Sequence, residues 1–253
     1  MPSTFDIGRL LVEFQHRLKR LSLCFQEEST DRWSSAVTAR WKTLEGDVTA
    51  PEYALQTALF SAGFPVPEPL LLDVSGSVLP SPYLVMEMVE GTTVVDEKHL
   101  GGALQHMAEF LLGLHNLDVN ALGLAQLPQG DDPVLGALQC IPSDPSYSNL
   151  HDAVARWMTK SVASTLLHRD FWPGNILWRD QKIAAVIDWE DGAIGSALSD
   201  LAECRSEIMA IYGGSSMEGF TKHYRAGTTC DLTDLPLWEV YAGYAALATM
   251  RNS

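Results

Sequence analysis

The chain is short of cysteine, of basic residues and of long apolar runs, and each shortage narrows what it can be. Its four cysteines, Cys24, Cys140, Cys204 and Cys230, are scattered with no CxxC pair and no Cys/His metal spacing, which argues against a disulfide framework or zinc module and for reduced thiols. No apolar stretch approaches ~18 residues, so no membrane-crossing helix is expected. Met1 to Gly8 carries Asp6 but neither Lys nor Arg, so no signal peptide is expected and the expected location is cytoplasmic. Basic side chains number 17 against 32 acidic ones, a net charge of −15. That balance argues against nucleic acid or an anionic membrane as a main partner and would suit a cationic small molecule. Internal repeats and low-complexity tracts are also lacking.

What is there is concentrated in residues 168–191, HRDFWPGNILWRDQKIAAVIDWED. His168 and Asp170 form a His-x-Asp, Asn175 follows five residues later, and Asp188 closes an apolar run. Phosphoryl transfer needs this set: one carboxylate beside an attacking hydroxyl, plus an amide and a carboxylate able to hold Mg²⁺ against nucleotide phosphates. Ile176 to Trp178 and Ile183 to Ile187, separated by the polar stretch Arg179 to Lys182, read as a β-hairpin. Folding it brings Asn175 and Asp188, at its open ends, close enough to share one hard cation. Asp170 precedes the first strand on a loop made irregular by Pro173 and Gly174, which suits a carboxylate aimed at substrate. His168 braces that loop. At 253 residues the chain can form two lobes around a cleft.

Here the chain resembles the aminoglycoside phosphotransferases and their kin, small-molecule kinases of the protein-kinase-like fold. The resemblance is carried by LLHRDFWPGNILW and VIDWEDGAIGSALSDLA, and more weakly by PEYALQTALFSAGFPVPEPLL, PYLVMEMVEGTTV and FLLGLHNL. It implies an α+β two-lobed fold with a small β-rich nucleotide-binding lobe over residues 1–90 and a mainly helical lobe over 91–253. It implies Asp170 as catalytic base with His168 beside it, Asn175 and Asp188 as Mg²⁺ ligands, and Met86 to Val89, including Glu87 and Met88, as a hinge meeting the adenine. It further implies that Glu52 pairs with a basic residue steadying the α- and β-phosphates, for which Arg40 is preferred over Lys42. The cofactors so implied are ATP or GTP with Mg²⁺, and the acceptor is a hydroxyl of a small molecule, such as an aminoglycoside or amino alcohol.

The resemblance is incomplete at the N-terminus. The only glycine before residue 46 is Gly8, so no glycine-rich phosphate-binding turn is legible. Its expected place, Leu21 to Arg32, carries Glu27, Glu28 and Asp31. A nucleotide-binding pseudokinase therefore stands as the alternative reading, and a metal-dependent hydrolase as a third. Individual residues have plainer readings too. Asp200 with Glu203 reads either as a capping box at a helix start or as a buried brace for the loop that carries Asp170. His115, among Leu104, Met107, Leu111 and Leu114, reads as a packing residue. Glu52 is equally a first-turn acid behind Pro51.

Periodicity predicts helices over 5–21, 51–62, 100–117, 151–163, 201–212 and 236–250, and strands over 37–40, 70–74 and 83–89. Residues 118–150 read as a long loop, and little chain follows the last helix.

Overall fold

The computed structural model describes residues 49–75, 82–130, 132–157 and 164–251. The expected helix over 5–21, the glycine-poor stretch 21–32, the strand over 37–40, Arg40 and Lys42 lie outside these residues.

Helix α1, Thr49–Ser61, buries Leu55, Gln56 and Leu59 along one side. Its end is set by Gly63, at φ +83°, a left-handed backbone that glycine adopts without a Cβ clash. The Gly63 amide donates to the Phe60 carbonyl and the Phe64 amide to the Leu59 carbonyl, both at 3.0 Å, which satisfies the carbonyls left over at the helix end. Pro65, Pro67 and Pro69 then forbid further helix. Strand β1, Pro69–Asp73, pairs antiparallel with β2, Tyr83–Met86. Beyond β2 the chain reaches the second half of the molecule, where Thr92 and Trp178 exchange backbone hydrogen bonds of 3.0 and 2.8 Å. That approach depends on Gly91, whose Cβ would stand 2.9 Å from the Leu177 Cβ.

The second half is mainly helical. It contains α2 (Leu100–His115), α3 (Pro133–Cys140), α4 (Ser148–Ala155), α5 (Ala197–Tyr212), α6 (Gly214–Gly227) and α7 (Leu235–Arg251). Two antiparallel pairs lie among them: β3 (Ser164–Leu167) with β6 (Ala193–Ser196), and β4 (Ile176–Arg179) with β5 (Lys182–Val186). One apolar core joins Leu55 and Leu59 of α1 to Leu104, Leu111 and Leu114 of α2, Phe171, Trp189 and the buried face of α5. A smaller cluster of Ala137, Ile141, Val154 and Leu237 ties α3 and α4 to α7. The arrangement is α+β, strands leading at the N-terminal end and helices following. None of the described helices is long and apolar enough to cross a membrane.

Several expectations are corrected. Residues 118–150 are no plain loop, because α3 lies within them. The Asp132 carboxylate accepts from the Val134 and Leu135 amides at 2.8 and 3.1 Å, and Pro133 occupies the first turn; eight residues are too few to register a period. Helix α6 was not expected, since Gly214, Gly219 and Gly227 dilute a stripe of Met217, Phe220, Thr221 and Tyr224 that has helical spacing. Strands β3 and β6 pair across about thirty residues of sequence, beyond the reach of local pattern. Helix α5 begins at Ala197 with Ser196 as its cap, so Asp200 sits a turn inside the helix and the capping-box reading of Asp200 with Glu203 fails. The strand expected over 83–89 stops at Met86 rather than Val89, and the hairpin turn is only two residues long.

Candidate active site

The hairpin positions the site. Arg179 pairs with Lys182, and the two residues between them, Asp180 and Gln181, have φ of +52° and +63°, the geometry of a tight turn that matches strand twist. At the open end the Ile187 amide donates to the Asn175 carbonyl at 3.0 Å. Asp188 is the next residue, so the hairpin register sets it one position beyond the residue that faces Asn175. The Asn175 side-chain amide donates to both the Asp170 carboxylate (2.6 Å) and the Asp170 carbonyl (2.9 Å). With its nitrogen committed to Asp170, the Asn175 side-chain oxygen is the atom left for a cation.

His168 lies beneath this loop rather than facing open space. It is fully buried; its Nε2 donates to the Ile187 carbonyl at 3.0 Å and its Nδ1 accepts from the Asp170 amide at 3.2 Å. The carbonyl fixes the proton on Nε2, so the ring is a single neutral tautomer with both nitrogens engaged. Burial lowers its pKa, against the pull of the Asp200 charge. The ring ties the Asp170 loop to the end of β5, which makes it a positioning group.

Asp200 is the second brace. The His168 amide donates to one of its carboxylate oxygens at 2.8 Å and the Arg169 amide to the other at 2.9 Å. Arg169 has φ +68°, and this turn lets two successive amides converge on one carboxylate. The His115 Nε2 donates to the same group at 3.2 Å, and its Nδ1 meets the Tyr224 hydroxyl at 2.7 Å. Burial raises the Asp200 pKa, yet these hydrogen bonds outweigh it and hold the carboxyl below the ordinary range. The packing reading of His115 is thus corrected: it is buried as expected, but as the polar link between α2, α5 and α6. No local pattern could have revealed that, because its partners lie 85 and 109 residues away.

The charge around Asp170 is one-sided. Burial pushes its carboxyl up to about 6; the hydrogen bond from Asn175 opposes this, and Asp188, Asp191 and Glu207 reinforce it. Glu203, on α5, is pushed up to about 8 by burial and then by Asp200 and Asp170, with Arg169 opposing. Carboxyl groups that repel one another in this way favour a cation among them. Among the described residues no three His, Cys, Asp or Glu side chains form a closed metal cage. An amide oxygen and a carboxylate suit Mg²⁺, which keeps waters and phosphate oxygens in its shell, so the residues fit that ion.

The remaining expected residues are on α1 and at the end of β2. Glu52 is on the first turn of α1, where it accepts from Gln56 at 3.0 Å; the basic residues expected to pair with it are not among the described ones. Met86 ends β2 and is buried, and the Glu87 amide donates to the Glu68 carbonyl at 2.8 Å. Glu87 can therefore meet a base only through its carbonyl or side chain, beside the backbone of Met88 and Val89.

Comparison with known proteins bears on the family and the fold. The model of the phosphotransferase enzyme family matches residues 42–244. Acyl-CoA dehydrogenase family member 11 from Gallus gallus is 33% identical over 175 residues, covering 60% of this chain and 22% of that protein. The Rattus norvegicus protein of the same name is 32% identical over 177 residues, with the same shares covered. The chain thus spans less than a quarter of the length of these relatives. Among solved structures, the GDP complex of aminoglycoside 2'-phosphotransferase-IIIa superposes with a TM-score of 0.62 at 15% identity, covering 92% of this chain and 89% of that one. Amicoumacin kinase in complex with AMP-PNP, Ca²⁺ and its ligand gives 0.63 at 15% identity, covering 94% and 86%. These neighbours show the protein-kinase-like fold.

Proposed function

We propose that this chain, which belongs to the phosphotransferase enzyme family, moves the γ-phosphoryl group of ATP or GTP to a hydroxyl of a small molecule. The observation that carries the reading is the triangle of Asp170, Asn175 and Asp188, built by one hydrogen-bond pair and one hairpin register. Asp170 accepts the proton of the attacking hydroxyl, its oxygen held in place by the Asn175 amide and its backbone by His168. Asn175, through its oxygen, and Asp188 would hold Mg²⁺, which when bound supplies positive charge to the β- and γ-phosphate oxygens. Met88 and Val89, with the Glu87 carbonyl, would meet the base from a lobe ending at residue 90, with the acceptor on the lobe over 91–253. Glu52 and Arg40 would steady the inner phosphates.

The carboxyl groups of Asp188, Asp191 and Glu207 around Asp170 support an acceptor that is neutral or cationic at its reacting end. Aminoglycosides, amino alcohols and sugars meet that requirement. The names of the relatives put acyl-CoA chemistry in the same polypeptide as a matching segment, so hydroxyacyl thioesters belong in the same panel.

The test is titration calorimetry with Mg·ATP and Mg·GTP, followed by a turnover screen over that panel. Binding in the parent and loss in Asp188→Ala are expected. Asp170→Asn should bind Mg·ATP normally and turn over roughly 100-fold more slowly or worse, the scale of a lost general base. Full turnover by a folded Asp170→Asn would sink the assignment, and nucleotide binding with no turnover on any acceptor would favour the pseudokinase.

A further inference from the structure

Trp172 stands between Asp170 and Asn175 in the chain, and it is the tryptophan that the core does not use. Among the described residues Trp157, Trp178, Trp189 and Trp238 each belong to or pack against one of the two apolar clusters, whereas Trp172 belongs to neither. Its direction follows from the backbone. Trp172 is extended, at φ −143° and ψ 167°, and in extended chain successive side chains leave on opposite sides. Phe171 is fully buried, so Trp172 turns outward, where it is half-buried.

The ring has a fixed seat. The Asn175 amide donates to the Trp172 carbonyl at 3.0 Å, which closes the turn Pro173–Asn175, and the indole lies against Gly174, where any Cβ would run into its six-membered ring. Glycine at 174 therefore lets a flat apolar surface lie along the loop that joins Asp170 to Asn175, two residues whose side chains are hydrogen-bonded to each other. The neighbouring rings are engaged elsewhere: Phe171 with Phe110 and His168, and Trp189 with His168. Trp172 thus offers a single aromatic face, not a cage, beside the Asp170 carboxylate, with Asp188, Asp191 and Glu207 close enough to repel its charge. That combination fits one ligand chemistry. An apolar C–H face packs on the aromatic ring while hydroxyls at its edge donate to carboxylates. An ammonium group is held best by several rings around it, which this loop does not provide.

We propose that Trp172 is an acceptor-binding residue, the platform on which the acceptor lies, and that the acceptor hydroxyl is carried by a saturated ring with an apolar C–H face, as in a glycoside, rather than by a linear amino alcohol. This rests on the phosphotransfer reading, and the experiment separates the failure of one from the failure of the other.

The experiment follows the indole N–H signals of the isotopically labelled full chain by two-dimensional NMR, with Mg·ADP present. Methyl β-D-glucopyranoside, methyl β-D-ribofuranoside and the linear 3-amino-1-propanol are titrated in turn, and Trp172→Phe identifies the Trp172 signal by its loss. The glycosides are neutral, so the net charge of −15 does not draw them. The Trp172 signal should shift saturably with at least one glycoside, with a Kd of about 10 mM, and the amino alcohol should bind at least about fivefold more weakly. Trp172→Ala should weaken that glycoside about tenfold and Trp172→Phe about threefold, read from the Asp170 and Asn175 amides. In turnover of the same glycoside, Trp172→Ala should raise KM about tenfold and leave kcat and Mg·ATP affinity within about twofold. A ring that only props the loop would instead lower kcat and nucleotide affinity and leave KM unchanged. That pattern, a Trp172 signal unmoved by either glycoside, or an amino alcohol bound as tightly as the glycosides overturns the proposal. If Trp172→Ala does not fold, the parent titrations and Trp172→Phe decide. Saturable glycoside shifts without turnover would sustain the platform and sink the phosphotransfer reading alone.

Discussion

At the scale of single residues, the site depends on groups whose protonation the fold dictates. His168 is held neutral because protonating Nδ1 would set an N–H against the Asp170 N–H that it now accepts, inside a fully buried pocket. The unfolded chain carries no such restriction, and its histidines protonate near pH 6.5. Below that pH the unfolded state takes up a proton that folded His168 refuses. The stability contributed is therefore complete above about pH 6.5 and is lost as pH falls toward the depressed folded pKa, by at most about 1.4 kcal/mol per pH unit. Urea unfolding of the metal-free protein between pH 7.5 and 5 should show this slope, and His168→Gln should flatten it by up to one proton. An identical slope in the variant would mean that His168 titrates normally in the fold. Most of these residues were legible in the sequence because their spacing is local: Asp170 and Asn175 are five apart, and Asp188 follows a readable hairpin. Asp200 had two sequence readings, and only the two amides that converge on it decided between them.

At the scale of elements, the helix that the sequence concealed turns out to support the site. Helix α6 supplies Tyr224, whose hydroxyl meets the His115 Nδ1 at 2.7 Å, and His115 in turn reaches Asp200. A chain of buried polar groups so runs from α6 through α2 and α5 to the backbone of Arg169. Tyr224→Phe removes one partner and leaves a buried ring nitrogen unsatisfied, at a cost of roughly 1–2 kcal/mol. Denaturant unfolding should read that loss while Mg·ATP affinity stays near the parent value, since Tyr224 touches no proposed ligand. A stability change below about 0.3 kcal/mol would show that the hydroxyl bond contributes nothing net. The element itself was hidden by composition: glycine at three of its fourteen positions lowers helix propensity, and tertiary contact with α2 and α5 overrides it.

At the scale of the whole molecule, the first described helix belongs to the same core as the site. Leu59 of α1 is completely buried in the cluster that also holds Phe171, Trp189 and Leu201. The Val186 amide, just before the residues leading to Asp188, donates to the Pro65 carbonyl at 2.8 Å. Leu59→Ala should therefore cost roughly 2–5 kcal/mol and lower the stability of the described residues as one unit. Far-UV circular dichroism and tryptophan fluorescence should report one coincident transition; two separated transitions would show that α1 and its strands have a core of their own. The sequence by itself carried the resemblance that implies the α+β class, and it made legible the spacing of Asp170 and Asn175 and the hairpin that brings Asn175 near Asp188, because that spacing and that hairpin rest on residues close to one another in the chain. Only the tertiary structure decided that Asp200 is a brace, that His168 is neutral and His115 a link, and that β3 pairs with β6. Those facts arise from contacts between distant segments, where burial and the need to pair every buried polar group choose among partners that local spacing leaves open.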